Sequence, residues 1–463
     1  MGGVRMSTGG TPLIIRGGRV IDPASGYDGI ADVLITDGRI AAIGAVSNRQ
    51  DGLRTPSADV IDATGCIVCP GFIDIHVHLR DPGQEQKETL ATGTRAAARG
   101  GFTHVCAMPN TAPALDTAER VRDVRERAIL TGVSRVSVIG AISVGRRGQS
   151  PAPWAEMSAA GAVAFSDDGE SCMDDAIMRA ALEATLSHGK PLATHCEDLS
   201  LVPAGAGMNA GRVSHRMRVP GIPREAEEAI IARDVQLAEE TGGLLHICHV
   251  STAGGVELIR EAKARGVRVT GEAMPHHLAL TDEWVAGGRA WAWEKAYHPG
   301  WPLLDTLAKV NPPLRTQEDA AAVLAGLKDG TLDCIATDHA PHTLAEKAQD
   351  LAHAPSGFTA LELAVPLLME LVRANLLSLP EIVAHLTVNP ARVFKLPGGS
   401  LRPGAVADVT VLDPDAPFVV SEETLVSKSP NTPLLGMTLT GAVRATVIGG
   451  RVVYDARRTP TFA

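Results

Sequence analysis

Hydrophobic and polar positions change rhythm twice along this chain. From residue 12 to 70, short β-branched runs are separated by turn residues: Leu13–Arg16, Gly18–Asp22, Asp32–Thr36, Arg39–Ile43 and Asp59–Asp62. Asp37-Gly38 between two of them predicts a hairpin. The C-terminal stretch has the same texture, in Asp408–Leu412, Phe418–Ser421 and Ala445–Tyr454. Neither end has enough strands for a sheet pair alone. One small β-sandwich built from both termini is therefore expected, with the middle of the chain inserted between them. That middle alternates strand-like and helix-like segments, the signature of a parallel sheet. A helix is expected from Gln84 to Arg99, stopped by Gly100-Gly101. Strands follow at Thr103–Met108, Arg135–Ile139, Ala162–Phe165, Pro191–His195, Leu244–His249, Val267–Thr270 and Leu332–Thr337. With an opening strand after Pro70 they make eight, which predicts an α/β fold of the (β/α)8 or TIM-barrel type, with insertions. The expected units are residues 1–68 and 398–463 for the two parts of the sandwich and 69–397 for the barrel.

The opening strand carries the most unusual pattern. At a two-residue period, Ile73, Ile75, Val77 and Leu79 point one way, while Phe72, Asp74, His76, His78 and Arg80 point the other. Two imidazoles at i and i+2 converge on one point, which suits a divalent metal such as zinc, cobalt or manganese. Taken alone, such a pair is weak evidence. It gains weight because further ligand types stand at the ends of later strands, where a (β/α)8 barrel keeps its chemistry. Strand four ends in Phe165-Ser-Asp-Asp168, strand five in His195-Cys-Glu197, strand six in His249 and strand eight in Asp338-His-Ala-Pro-His342. On strand six, His249 shares a face with Leu245 and Ile247, and His246 lies on the other. The histidine nearer the mouth, His249, is the better ligand, and His246 is expected to be packed.

Composition narrows the reading without redirecting it. Hydrophobic residues make up 45% and charged residues 21%, ordinary for a globular protein. The net charge of −10 is spread without blocks, which argues against nucleic acid or an anionic membrane as partner. The most apolar run, Leu361–Val372, contains Glu362, Pro366 and Glu370, so no membrane span is expected. The start MGGVRMSTGG lacks the apolar core of a signal peptide and is expected to be a flexible lead into a cytoplasmic protein. Seven scattered cysteines fit a reducing compartment, and Cys66-Ile-Val-Cys69, with no second such pair, is expected to be structural. Trp284, Trp291, Trp293 and Trp301 fall in one stretch that breaks the strand–helix rhythm, expected to be a packed excursion.

Together His76, His78, His195 and His249 with Asp168 and Asp338 could hold one or two divalent ions. A metal pair bridged by Asp168 and a hydroxide would aim a nucleophile at a carbonyl. Asp338 would carry the proton from that nucleophile to a leaving nitrogen. No GxSxG elbow, P-loop or GxGxxG opening follows any strand, so serine-hydrolase and nucleotide-binding readings lack support.

At this point the chain resembles the dihydroorotases of the amidohydrolase superfamily, specifically the long, bacterial-type class, over essentially its whole length. Two long signatures carry the resemblance, Asp74-Ile-His-Val-His-Leu-Arg-Asp-Pro-Gly83 and Ala336-Thr-Asp-His-Ala-Pro-His-Thr-Leu-Ala-Glu-Lys347. Ala107-Met-Pro-Asn110-Thr and Asn311-Pro-Pro-Leu-Arg315 add to them. The resemblance implies zinc held by His76, His78, Asp168, His195, His249 and Asp338. It also implies a substrate carboxylate on Arg80, Asn110 and His342, with Asn311 near a pyrimidine ring. Asp168, rather than Asp167, keeps the class's spacing to His195 and stands where many superfamily members carry a carboxylated lysine. The implied reaction interconverts N-carbamoyl-L-aspartate and L-dihydroorotate, in a homodimer that could also associate with aspartate transcarbamoylase. Two alternatives are a hydantoinase or allantoinase, against which Arg80 argues, and a non-catalytic partner of a transcarbamoylase, against which the complete ligand set argues.

Overall fold

The computed structural model describes residues 11–45, 58–295 and 304–457. The expected flexible start, residues 1–10, and Trp301 lie outside the described residues. The chain opens with β1 (Leu13–Asp22), β2 (Tyr27–Thr36), β3 (Arg39–Gly44), β4 (Asp59–Asp62) and β5 (Ile67–Pro70). Eight strands alternate with helices thereafter: β6 (Phe72–Val77), β7 (Phe102–Ala107), β8 (Arg135–Gly140), β9 (Ala162–Phe165), β10 (Leu192–Thr194), β11 (Leu245–Ile247), β12 (Val269–Ala273) and β13 (Cys334–Ile335). The chain closes with β14 (Val409–Val419), β15 (Thr438–Ile448) and β16 (Arg451–Asp455).

Both ends of the chain build one sheet, in the order β16-β15-β14-β5-β1-β2-β3 with β4 also on β1. They meet at β5, which pairs in parallel with β1 and antiparallel with β14. The small β-sandwich expected from both termini takes the form, among the described residues, of one continuous hydrogen-bonded sheet around a core that joins Ile15, Val33 and Val68 to Val411, Ala445 and Val447. Asp37 and Gly38 both take positive φ, 50° and 72°, and close the β2–β3 hairpin as their sequence predicts. Three boundaries differ from expectation. The two runs before Asp22 form one strand with an irregularity between Ile15 and Gly18. A side chain at Gly18 would strike Val68 at 2.5 Å, so the bulge brings β5 close. Asp408–Leu412 and Phe418–Ser421 merge into β14, whereas Ala445–Tyr454 splits into a hairpin turned by Gly449-Gly450.

The middle forms a parallel barrel in the order β6 through β13. Its seam closes where the His78 amide donates to the His339 carbonyl (2.8 Å) and Asp74 accepts from the Thr337 amide and hydroxyl. One apolar layer, including Val105, Val138, Leu192, Ile247 and Ile335, packs outward on helix residues such as Val124, Leu182, Ile231 and Ile259. A second cluster draws Ile75, Cys106, Ile139, Ala164, Ala193, Cys248, Met274 and Cys334 from around the barrel and fills its interior. Simple alternation on β6 does not hold. Ile73 and Ile75 belong to the interior cluster but Val77 and Leu79 to the outer layer, because register shifts interrupt β6 between Asp74 and Val77. The helix expected from Gln84 starts only at Leu90, capped by Thr89, because Lys87 and Glu88 turn inward toward His342 and His339.

Cys66 and Cys69 are buried, free thiols in different clusters, in keeping with a structural role. The tryptophan stretch is a packed excursion in its described part. Trp284 is fully buried and donates to Ala290, and Trp291 sits between Trp284 and Trp293 at centroid distances of 5.6 and 5.8 Å. No helix among the described residues is long and apolar enough to cross a membrane.

Candidate metal centre and substrate pocket

Six side chains reach the barrel mouth from five strand ends. His76 lies on β6 and His78 just beyond it; Asp168 follows β9, His195 follows β10, His249 follows β11 and Asp338 follows β13. All six are buried. Arg80, His249 and Asp338 have positive φ (59°, 35° and 48°), a conformation that costs about 1–3 kcal/mol per residue and clusters where side chains must be aimed. His249 stands beyond the end of β11, at the mouth as expected, but strand parity does not aim it. Leu245 and Ile247 face the helices, and it is the left-handed turn at His249 that swings its ring inward.

Asp168 is the hub. Its Oδ1 lies 3.4 Å from His76 Nε2, 3.3 Å from His249 Nε2 and 3.8 Å from His195 Nδ1, and its Oδ2 lies 3.4 Å from His78 Nε2. Two ligand triads share it, His76–His78–Asp168 and Asp168–His195–His249, each with ligand atoms within 4.8 Å of one another. Asp338 Oδ1 is 3.0 Å from His78 Nε2 and 3.6 Å from His76 Nε2. Asp167 takes no part: it accepts from the Ile142 and Ser143 amides and the Ser143 hydroxyl.

Outer partners fix the ring nitrogens. His76 Nδ1 donates to Glu272 Oε1 at 2.6 Å, and His78 Nδ1 donates to Asn110 Oδ1 at 2.8 Å. Both Nε2 lone pairs are thereby turned toward Asp168, and His76 Nε2 is buried with no hydrogen-bond partner. On the other side, His195 Nδ1 and His249 Nε2 stand 2.9 Å apart. Converging lone pairs with carboxylates among them fit a divalent cation. The electrostatics agree. Burial pushes the Asp168 carboxyl up, but the surrounding imidazoles outweigh it and hold the group well below the usual range. Asp338 is lowered in the same way, chiefly by His78 and His76 against burial. Burial likewise opposes, and His76 and His246 overcome, so that Glu272 is brought down to about 2.

An open cavity of about 290 Å³ adjoins the cluster, small as ligand pockets go. Arg80, Asn110, Asn311 and His342 all line it, with Ser356 and Gly357. Burial lowers Arg80 to about 10, so it remains a cation at neutral pH. Its Nε donates to the Pro341 carbonyl and its Nη2 lies 3.2 Å from His342 Nε2. Asn311 Nδ2 donates to Glu197, leaving its buried Oδ1 without a partner. His246 is packed as expected, bonded to Thr270 and Glu272. Sequence reasoning missed Glu272, and it placed Glu197 at the end of strand five without giving it a role. The one local mark of Glu272 is an acid within the short strand β12, which does not show its partner, and that of Glu197 is its place two residues after His195.

Comparison with known proteins places the geometry. Residues 67–453 match the model of the amidohydrolase family. A dihydroorotase of Pelotomaculum thermopropionicum is 50% identical over 446 residues, covering 96% of this chain and 99% of that protein. A dihydroorotase of Anaeromyxobacter sp. (strain K) is 49% identical over 443 residues, 96% and 98% of the two chains. Among solved structures, L-hydantoinase (dihydropyrimidinase) from Arthrobacter aurescens superposes with a TM-score of 0.82 at 25% identity over 96% of both chains. Dihydropyrimidinase from Brevibacillus agri gives 0.81 at 25% identity, over 98% of this chain and 97% of that one. This chain belongs to the amidohydrolase family.

Proposed function

We propose that the chain is a dihydroorotase, a hydrolase that opens and closes the cyclic amide between L-dihydroorotate and N-carbamoyl-L-aspartate. The observation that carries the substrate is Arg80, a buried guanidinium in the cavity wall two residues from His78. A planar cation there suits a ring carboxylate, which dihydroorotate has and hydantoin lacks. The full-length likeness to proteins named dihydroorotase supports the same reading.

His76, His78, Asp168, His195, His249 and Asp338 would hold the metal, and the two triads sharing Asp168 support a pair of zinc ions. Zinc there supplies Lewis acidity, making water acidic enough to attack at neutral pH and polarising the ring carbonyl. Asp338, kept ionised by its imidazole neighbours, takes the proton from the attacking water. The ring C–N bond then breaks, and Asp338 returns that proton to the departing nitrogen, since an amide anion is too basic to leave unaided. Arg80, His342 and the Asn110 amide hold the carboxylate, and the unpartnered Asn311 Oδ1 accepts from a ring N–H. A cytoplasmic setting is the one we assign, consistent with seven buried, free cysteines, and the homodimer rests on the resemblance alone.

The likeness to hydantoinases gives the rival reading its weight. The test is turnover by the unaltered enzyme and Arg80→Ala on dihydroorotate, hydantoin and allantoin. Preference for dihydroorotate, lost in Arg80→Ala with metal content intact, is expected. Preference for an uncharged ring, or unchanged turnover in Arg80→Ala, contradicts the assignment.

A further inference from the structure

We propose that Lys87 is a positioning residue for the substrate carboxylate, acting through His342: it holds the imidazole in the tautomer that aims Nε2–H, beside Arg80, at the anion. The inference rests on the dihydroorotase reading and adds to it a residue outside the pocket lining.

Lys87 lies in the loop between β6 and the helix Leu90–Arg99, with its side chain mostly buried. Its Nζ is 3.2 Å from His342 Nδ1 and 3.1 Å from Glu346 Oε1. An ammonium only donates, so His342 Nδ1 must accept and the ring proton must sit on Nε2. The opposite side of the ring demands the same arrangement: Nε2 lies 2.9 Å from the Ser356 carbonyl, which only accepts. Two independent neighbours thus select one tautomer. Burial, with Arg80, Lys87 and Lys347 nearby, pushes His342 down to about 2, so the ring is neutral and its tautomer matters more than its charge.

Arg80 Nη2 stands 3.2 Å from the same Nε2, and a guanidinium too only donates. The Ser356 carbonyl holds that Nε2–H in the absence of substrate, and a carboxylate with two oxygens, bridging Arg80 Nη2 and Nε2, would take it over. Without Lys87 the Ser356 carbonyl alone holds the proton on Nε2, and a substrate that displaces that carbonyl leaves the ring free to move its proton to Nδ1. Nε2 would then accept from Arg80, and the carboxylate would lose one donor and part of a second. The contact is held from both ends by one segment. Ser429 Oγ donates to the Lys87 carbonyl (2.6 Å), and Asn431 Oδ1 accepts from the His342 amide (2.9 Å).

The experiment measures kcat and KM for dihydroorotate in the unaltered enzyme, Lys87→Met and Lys87→Gln. Gln keeps an N–H for Nδ1 without the charge. Lys87→Met should raise KM by on the order of tenfold, the scale of a lost charge-assisted hydrogen bond, with kcat changed much less. Lys87→Gln should recover most of that loss. An unchanged KM in Lys87→Met overturns the inference. So does a Lys87→Gln enzyme as impaired as Lys87→Met, since the tautomer would then not be what Lys87 sets. Absence of dihydroorotate turnover in the unaltered enzyme overturns the function itself, and the inference with it.

Discussion

Glu272 Oε1 and His76 Nδ1 meet at 2.6 Å, and this contact decides which nitrogen of His76 faces Asp168. Glu272 is fully buried, and its other oxygen lies 3.2 Å from His246 Nε2. A carboxylate that accepts from both rings keeps the His76 Nε2 lone pair turned to the centre of the cluster.

Glu272→Ala should therefore lower metal affinity by about 10–100-fold, the usual cost of removing such a partner. Glu272→Gln keeps an acceptor and should lose less. Competition against a chelator measures both; equal affinity in Glu272→Ala and the unaltered protein would mean that His76 needs no orienting.

Asp338→Asn preserves shape but cannot carry a proton. Turnover should fall by about 10²–10⁴-fold, with metal content by elemental analysis changing far less. Near-normal turnover would remove Asp338 from the mechanism.

Asp168 occupies the place between the two triads. An aspartate needs no carbon dioxide to become a carboxylate, so zinc should restore the metal-free protein equally with and without bicarbonate. A strong bicarbonate requirement would mean that a modified lysine bridges instead.

Acid should weaken the fold through histidines held neutral in it. Burial, with His249 adding to it, lowers His277 to about 4, while its Nε2–H donates to the Pro312 carbonyl. The unfolded chain takes up that proton near pH 6.5 and the folded chain only near 4. Between these values the unfolded state binds more protons, so stability falls as pH drops, by up to about 1.4 kcal/mol per pH unit for this group. Urea midpoints of metal-free protein from pH 6.5 to pH 4 should fall less steeply in His277→Gln than in the unaltered chain. Parallel curves would show that His277 is not held neutral.

Much of this was legible in the sequence because strand-end chemistry is local. His76, His78, Asp168, His195, His249 and Asp338 each stand out at the end of an apolar run, and the barrel brings such ends to one mouth. What escaped depends on backbone geometry and on partners distant in sequence. Period-two alternation failed on β6, where the register shifts, and beyond β11, where His249 turns left-handed. The start of the helix at Leu90 was missed because Glu88 is claimed by His339 and Ser427, contacts across 251 and 339 residues that no local pattern records. Glu272 and Lys87 were missed for the same reason, since each takes its meaning from a histidine elsewhere in the chain.

The central claim is that the metal-loaded barrel acts on a ring because the ring carries a carboxylate. Its most direct test is the ratio of kcat/KM for dihydroorotate to that for dihydrouracil, the same ring without the carboxylate, in zinc-loaded enzyme and in Arg80→Ala. The account predicts a large preference for dihydroorotate that collapses in Arg80→Ala. A ratio near one in the unaltered enzyme, or one unmoved by Arg80→Ala, would contradict it.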